Sequence, residues 1–284
     1  MNAATSSAFE RADLAARDYA ALSALVHRET GILLPESKRE LVRSRLAKRL
    51  RTRGLNRFED YLKVIGSDPQ ERAAAMDALT TNHTSFFREV HHFDHFVKEV
   101  RPALVQRAAR GERIRLWSSA CSSGEEPYSM AMTLLGSDRH QATGIAGSDT
   151  MILATDLSPT VIEHARAATY PAAATAAVPR PLASAWIATR DGQSTIDPLC
   201  AGIVQYRQLN LMGDWPIRGT FDVIFCRNVM IYFDEPTKAR LQERLVDKLV
   251  PGGHFYIGHS ERLIGTAAER CRPIGQTIYR KDAA

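Results

Sequence analysis

The chain has 284 residues, 44% of them hydrophobic, and a formal net charge of +5. That is enough apolar side chain for one large or two modest cores, which excludes a disordered chain. No apolar run is long enough to cross a bilayer, and the opening MNAATSSAFERADLAARDY lacks the apolar core of an export signal. The four cysteines, Cys121, Cys200, Cys226 and Cys271, are scattered without a CxxC pair, so the expectation is a reduced, cytoplasmic protein with no metal site and no disulfide framework.

From residue 10 to about 78 the pattern is helical. Apolar residues recur at three- and four-residue spacing, as in Tyr19, Leu22, Leu25, Val26 and again in Leu41, Val42, Leu46, Leu50. Gly31 and Pro35 separate a first helix from a second, which Gly54 ends; a third covers Arg57 to Ile65, and a fourth runs from about Gln70 to Leu79. The second helix lies in KRELVRSRLAKRLRTR, residues 38–53, where eight cations meet only Glu40 and leave a local charge of +7. The excess charge of the chain is therefore concentrated on one element.

After Ile114 the texture changes to short apolar runs, IRLWSSA (114–120), MILATD (151–156), FDVIFCRN (221–228) and HFYIGH (254–259). Helix-like stretches lie between them at about Pro127–Leu135, Pro159–Ala167 and Glu235–Leu249. This alternation predicts an α/β fold with a parallel sheet built from βαβ units. Residues 137–150 read as a polar loop. The alanine- and proline-rich stretch 171–200 fits neither strand nor helix and reads as an irregular insertion.

Four stretches carry candidate chemistry. SSACSSGEEPYS, residues 118–129, follows the first strand, and its small residues let a ligand approach the backbone. It has only Gly124 and so lacks the GxGxxG dinucleotide fingerprint. Its paired Glu125 and Glu126 would repel a pyrophosphate and suit a ligand with a positive charge and hydroxyls, such as S-adenosylmethionine. Asp156 ends the second strand, where folds of this kind bind ribose hydroxyls; the plain alternative is a cap for the helix after Ser158-Pro159. CRNVMIYF, 226–233, ends a strand with a polar Arg-Asn pair and lacks the Pro-Pro-Tyr of amino-methylating nucleic-acid enzymes. TTNHTSFFREVHHF, 80–93, interleaves polar groups with Phe86, Phe87 and Phe93, as in a lid over an adenine or a carboxylate. His91 and His92 are adjacent and so do not share a helix face, which argues against a metal role.

Together LTTNHTSFFREVHHF, LWSSACSSGEEPYSMA, IFCRNVMIYF and GHSERL closely resemble the chemotaxis receptor glutamate methyltransferase family, CheR, over about residues 18 to 279. The resemblance implies a small all-α N-terminal domain (1–78), a linker contributing to the active site (79–95), and a Rossmann-like S-adenosylmethionine-dependent methyltransferase domain (96–284). An antiparallel β-subdomain would be inserted at about 170–207. By the same resemblance Asn82, Thr84, Arg88, Glu126 (favoured over Glu125), Asp156, Asn210, Leu211, Asn228 and Val229 would surround the cofactor, with Tyr232 beside the reacting methyl.

The reaction implied is methyl transfer to glutamate carboxylates of chemotaxis receptors, giving methyl esters and S-adenosylhomocysteine. A glutamate nucleophile is already ionised near pH 7, so no strong general base is required. Arg88 is assigned to hold one carboxylate oxygen, with Tyr232 as a positioning hydroxyl. Arg45, Lys48 and Arg49 on the basic helix would engage the receptor's cytoplasmic helical domain.

Two other readings stand beside this one. The sequence pI of about 9.1 suits a nucleic-acid methyltransferase, and a non-catalytic binding module is the third option. The favoured reading expects a monomer that contacts neither nucleic acid nor membrane and uses no metal. Some members of the family bind a receptor C-terminal pentapeptide through a glycine-rich loop of the inserted subdomain. Here 188–202 has one glycine, Gly192, at the presumed turn, and Pro198 is expected to interrupt a strand edge, so no such tether is expected.

Overall fold

The computed structural model describes residues 13–80 and 82–283. It divides into a helical unit, which ends at residue 81 and takes in Tyr232–Asp234, and a sheet unit of residues 82–231 and 235–284. The residues expected to link the two from 82 onward thus belong to the sheet unit. The first twelve residues, including the stretch weighed as an export signal, lie outside the described residues. Among the described residues no helix is long and apolar enough to cross a membrane.

The helical unit contains α1 (Ala16–Thr30), α2 (Arg39–Thr52), α3 (Phe58–Ser67) and α4 (Pro69–Leu79). Gly31 closes α1 in the left-handed conformation, as the sequence indicates. The basic helix α2 is amphipathic by position: Val42, Leu46 and Leu50 are buried among Leu22, Val26, Tyr61, Ile65 and Met76. Its cations are not all directed at solvent. Arg45 Nη1 donates to the carbonyls of Leu79 and Thr80 at 2.7 and 2.9 Å, satisfying the otherwise open end of α4. Glu71, fully buried on α4, accepts from Arg49 Nε (2.9 Å) and Nη2 (2.5 Å), Arg53 Nε (2.6 Å) and the Tyr61 hydroxyl (2.8 Å). Burial raises the Glu71 pKa, but these four donors outweigh it and hold the carboxyl at about 2.

The sheet unit has ten strands: β1 (Ile114–Ser118), β2 (Thr150–Asp156), β3 (Thr169–Pro171), β4 (Ile187–Arg190), β5 (Gln193–Ile196), β6 (Val204–Gln208), β7 (Phe221–Cys226), β8 (Leu249–Ile257), β9 (Cys271–Gly275) and β10 (Ile278–Lys281). Seven form one sheet in the order β6-β2-β1-β7-β8-β10-β9. Neighbours are parallel from β6 to β8, and β10 is antiparallel to both β8 and β9. The chain runs outward from β1 through β2 to β6 and then returns to β7 on the other side of β1. The crevice for a ligand in such a sheet opens where the direction of winding reverses, beyond the carboxyl ends of β1 and β7. The helices are α5 (Val90–His95), which passes through a π turn into α6 (Arg101–Ala109), then α7 (Glu125–Leu135), α8 (Arg139–Ala146), α9 (Pro159–Ala167), α10 (Arg180–Trp186), α11 (Pro198–Gly202), α12 (Glu235–Asp247) and α13 (Gly265–Glu269). Every residue of α7 is buried, the polar Glu125, Glu126, Ser129 and Thr133 included.

Four expectations are corrected. Residues 139–146, read as loop, form α8, with Asp138 as its N-cap accepting from the amides of His140 and Gln141. The stretch 171–200 is ordered: β3, β5 and β4 make a separate antiparallel sheet, and Asp191 and Gly192 turn β4 into β5 at φ 51° and 75°. Its prolines punctuate helices rather than break strands. Pro198 is the first residue of α11, capped by Asp197, and does not interrupt a strand edge. The inserted sheet ends at Ile196, because Val204–Gln208 pairs with β2 in the main sheet.

Removing one partner of a buried charge cluster costs about 3–5 kcal/mol, so Glu71→Gln is expected to lower the unfolding free energy by about 3 kcal/mol in urea titration. Because the folded pKa of Glu71 is depressed to about 2, its contribution is complete above the unfolded value near ~4.3 and is lost as pH falls through about 2. The wild type should therefore lose stability across that acid window more steeply than the glutamine variant.

Candidate active site

The turn after β1 is built for close backbone approach. Gly124 has φ 101°, and a Cβ there would fall 2.7 Å from the Tyr170 hydroxyl and 2.8 Å from Ala165 Cβ. Ser122 also takes a left-handed conformation (φ 47°), which directs its amide at Asp156 Oδ2, 2.8 Å away. Asp156 Oδ1 accepts from the amide of Ser158 at 3.0 Å. The helix cap itself is Ser158, whose hydroxyl accepts from Val161, so Asp156 is not the cap. Asp156 is thus a carboxylate held by two amides at a strand tip. The Asn82 carbonyl accepts from the Ser122 hydroxyl at 2.8 Å, which brings the 82–89 segment onto this turn. Phe86 packs edge-on to Tyr170, and the Phe87 amide donates to Ser129 Oγ at 3.0 Å.

At the end of β7 lies a buried guanidinium. Arg227 Nη1 donates to Glu126 Oε2 at 3.0 Å, Nη2 donates to the carbonyl of Arg88, and the same nitrogen lies 3.3 Å from Glu89 Oε2. Glu126 Oε1 accepts from Ser118 Oγ at 2.7 Å. Glu125 faces the turn instead and accepts from Ser123 Oγ at 2.7 Å. Burial pushes the Glu126 carboxyl up, against Arg227 and Ser118. Burial also acts on Glu89, but Arg227 and the amide and ring of His259 outweigh it and hold Glu89 at about 2.

The next residue, Asn228, sits at φ 58°. Glu261 fastens its loop by accepting from the amides of Asn228 (3.2 Å), Met230 (2.8 Å) and Gly258 (2.6 Å). Any Cβ at Gly258 would fall 2.5 Å from Asn228 Nδ2, so only glycine fits. Burial raises the Glu261 carboxyl, against those amides. Asn210 Oδ1 accepts from the Met212 amide at 2.9 Å, and the buried Leu211 gives its carbonyl to Arg244.

The expected cofactor residues Asn82, Thr84, Arg88, Glu126, Asp156, Asn210, Leu211, Asn228 and Val229 all lie in the sheet unit. Tyr232 clusters with the helical unit, where its carbonyl accepts from the Leu33 amide at 2.8 Å. On α2, the guanidinium groups of Arg45 and Arg49 are engaged internally, while Lys48 is exposed. Arg227, Glu89 and Glu261 were missed as site residues. A charged Arg227 closing the wholly buried strand FDVIFC was the available signal for the first, and Glu261 lay unassigned in GHSERL.

The helix-face argument against a metal also fails in its geometry. Glu89 precedes α5 in the left-handed region, and one ligand atom each from Glu89, His91 and His92 lies within 4.8 Å of the others. Arg227, 3.3 Å from Glu89 Oε2, already supplies a positive charge there.

A mostly parallel sheet with an acidic strand tip and a small-residue turn at its switch point is the arrangement of Rossmann-like nucleotide-binding folds, the class that includes S-adenosylmethionine-dependent methyltransferases. Residues 82–280 match the CheR methyltransferase S-adenosylmethionine-binding domain, and residues 17–80 match the CheR methyltransferase all-α domain. The chain is similar to a probable chemotaxis protein methyltransferase of Rhizobium etli, at 43% identity over 90% of this chain and 96% of the relative. It is 40% identical to chemotaxis protein methyltransferase 2 of Pseudomonas aeruginosa, covering 92% of each chain. Against the chemotaxis protein methyltransferase of Escherichia coli it is 37% identical over 95% of this chain and 92% of that one. The chain belongs to the CheR methyltransferase family.

Losing a charged hydrogen-bond partner costs about 1.5–3 kcal/mol, so Asp156→Ala should weaken S-adenosylmethionine binding roughly 10- to 100-fold. Calorimetry on the folded variant checks this, and unchanged affinity removes Asp156 from the ribose site.

Proposed function

We propose that the protein transfers the cofactor's methyl group to glutamate side chains in the cytoplasmic helical domain of chemotaxis receptors, forming methyl esters. The observation that carries this reading is the fixed 82–89 segment. The Arg88 carbonyl is anchored on the buried Arg227, while the Arg88 side chain, half-buried, donates to the His83 carbonyl at 2.9 Å and remains able to turn to a carboxylate. The buried thiols offer no alternative nucleophile: burial pushes Cys121 and Cys226 up, away from the reactive thiolate.

The bound cofactor supplies an electrophilic methyl on a sulfonium. This chain's residues hold and align. Asp156 takes the ribose hydroxyls, Asn210, Leu211, Asn228 and Val229 enclose the adenine and methionine parts, and Asn82, Thr84 and Glu126 complete the cradle. Arg88 grips one oxygen of the incoming carboxylate so that the other attacks in line. Catalysis comes from orientation and exclusion of water, with no proton to move before the carboxylate attacks.

For receptor engagement, the exposed side of α2 is the relevant surface. Among the described residues, Lys48 and Arg51 are exposed there and make no ion pair, whereas Arg45 and Arg49 maintain the helical unit. A cationic face of this kind steers toward acidic helices. Docking without a C-terminal peptide tether is supported by the two-residue Asp191–Gly192 turn, which leaves no glycine-rich loop between β4 and β5. Saturable micromolar binding of a receptor C-terminal pentapeptide, lost on altering β4, would contradict that part.

The reaction is tested by incubating the protein with methyl-labelled cofactor and receptor-bearing membranes: the label should be released in mild base, as from an ester. Base-stable label would point to nitrogen methylation. Arg88→Lys keeps the charge but not the planar fork and should lose most turnover while folding normally. Lys48→Glu with Arg51→Glu should slow receptor methylation at least about tenfold and more steeply at low salt, with cofactor affinity unchanged by calorimetry. An active double variant with a salt-insensitive rate would reduce the face to a solubilising one.

A further inference from the structure

Glu89 is the carboxylate through which three segments of the site meet. Its backbone is left-handed (φ 60°), an uncommon and strained choice for a residue with a side chain. Its Oε1 accepts from Asn228 Nδ2 at 3.3 Å and from the His259 amide at 3.2 Å, and lies 3.1 Å from His259 Nδ1. Its Oε2 lies 3.3 Å from Arg227 Nη2 and 3.4 Å from His92 Nδ1, without forming a well-directed hydrogen bond. His92 is wholly buried, and its Nε2 meets Thr277 Oγ1 at 2.9 Å. Burial and then Arg227 hold the His92 ring well below its ordinary pKa, at about 3, so Glu89 faces a neutral imidazole on one side and a guanidinium on the other.

The consequence runs through Arg227. That guanidinium has two carboxylates within reach, Glu126 and Glu89, and its Nε has no partner among the described residues. With Glu126 alone, a planar fork pairs most favourably in a two-pronged arrangement that swings toward that carboxylate. Glu89 pulls from the opposite side and keeps Nη2 on the Arg88 carbonyl. The same side chain holds Asn228, on the strand tip that the cofactor site uses, through its Nδ2.

We propose that Glu89 is a positioning residue for methyl transfer. By dividing its two oxygens between Asn228 with His259 and Arg227, it fixes the 82–89 segment against the β7 tip and so sets the place of Arg88. This rests on Arg88 as the carboxylate clamp and adds a residue that touches neither substrate nor cofactor. Glutamine at 89 keeps an oxygen for Asn228 and His259 but turns an amide donor toward Arg227. A displacement of about 1 Å in a reacting geometry costs up to about 100-fold in rate.

The test compares wild type, Glu89→Gln and Glu89→Asp. For the glutamine variant we expect cofactor affinity within about threefold of wild type by calorimetry, with a lowered melting temperature because a buried carboxylate partner of Arg227 is lost. Its kcat on receptor should fall by about 30-fold or more. Aspartate keeps the charge and should recover part of that loss. A loss of cofactor affinity as large as the loss in kcat, with no recovery by aspartate, would show a merely structural role and overturn the proposal, as would a wild-type kcat in the glutamine variant. Should the glutamine variant not fold, the aspartate variant decides by its kcat and affinity alone. Should the wild type modify no receptor, the substrate reading fails by itself. A crystal structure of the glutamine variant with S-adenosylhomocysteine then decides: Arg88 and Arg227 displaced supports the proposal, and both in place overturns it.

Discussion

The site depends on one buried cation. Arg227 ends a strand with every residue buried, and its guanidinium is all but removed from water. An unpaired charge there would be prohibitive, so the surroundings have to supply acceptors: Glu126 from the helix after β1, Glu89 and the Arg88 carbonyl from the segment before the sheet. Those acceptors come from two stretches of chain, distant from each other and from Arg227. Satisfying a single guanidinium therefore brings the N-terminal segment, the first loop and the β7 tip into one arrangement. The left-handed residues at Phe87, Glu89, Ser122 and Asn228 lie around that point. Such backbone persists only where neighbouring contacts over-determine it, and here those contacts are the ionic network and the Glu261 clamp.

The helical unit solves the reverse problem with the same chemistry. There a buried carboxylate, Glu71, is compensated by Arg49, Arg53 and Tyr61. Much of the positive charge that makes α2 look like a docking surface is therefore spent inside the unit. What remains for a partner is a narrower, exposed strip, which changes the residues on which recognition is proposed to rest. Charge counted along a sequence overstates the charge available at a surface, because arginine is also the residue best suited to bridging buried acceptors.

Four of the parallel strands, β1, β2, β7 and β8, were legible as short apolar runs alternating with helices, whereas the polar VQYRQ of β6 was missed. The order of the main sheet was not read from the sequence, and comes from the fold. The inserted antiparallel sheet was expected from the family resemblance but was not legible in the residue pattern, since β4 and β5 are four residues each and lie in an alanine- and proline-rich stretch with weak alternation. Helix α8 was missed because His140, Gln141, Thr143 and Gly144 read as loop, while the Asp138 cap that starts it is a signal of position rather than of hydrophobicity. In the site, Asp156 was readable from its place at a strand tip. Glu89, Arg227 and Glu261 were not, because their roles are defined by partners at distant positions, and only the fold brings those together. The adjacent histidines show the same limit: a helix-face argument fails when the third group, Glu89, sits just outside the helix.

The central claim is that the cofactor's methyl passes directly to a carboxylate oxygen aligned by this network. Mass spectrometry of receptor fragments, after incubation with the enzyme and trideuteriomethyl-labelled cofactor, tests it most directly. The account predicts the labelled methyl on glutamate side chains of the receptor's cytoplasmic helices, with none retained on the enzyme. Label on lysine or arginine nitrogen, on nucleic acid, or on one of the enzyme's own cysteines would contradict it.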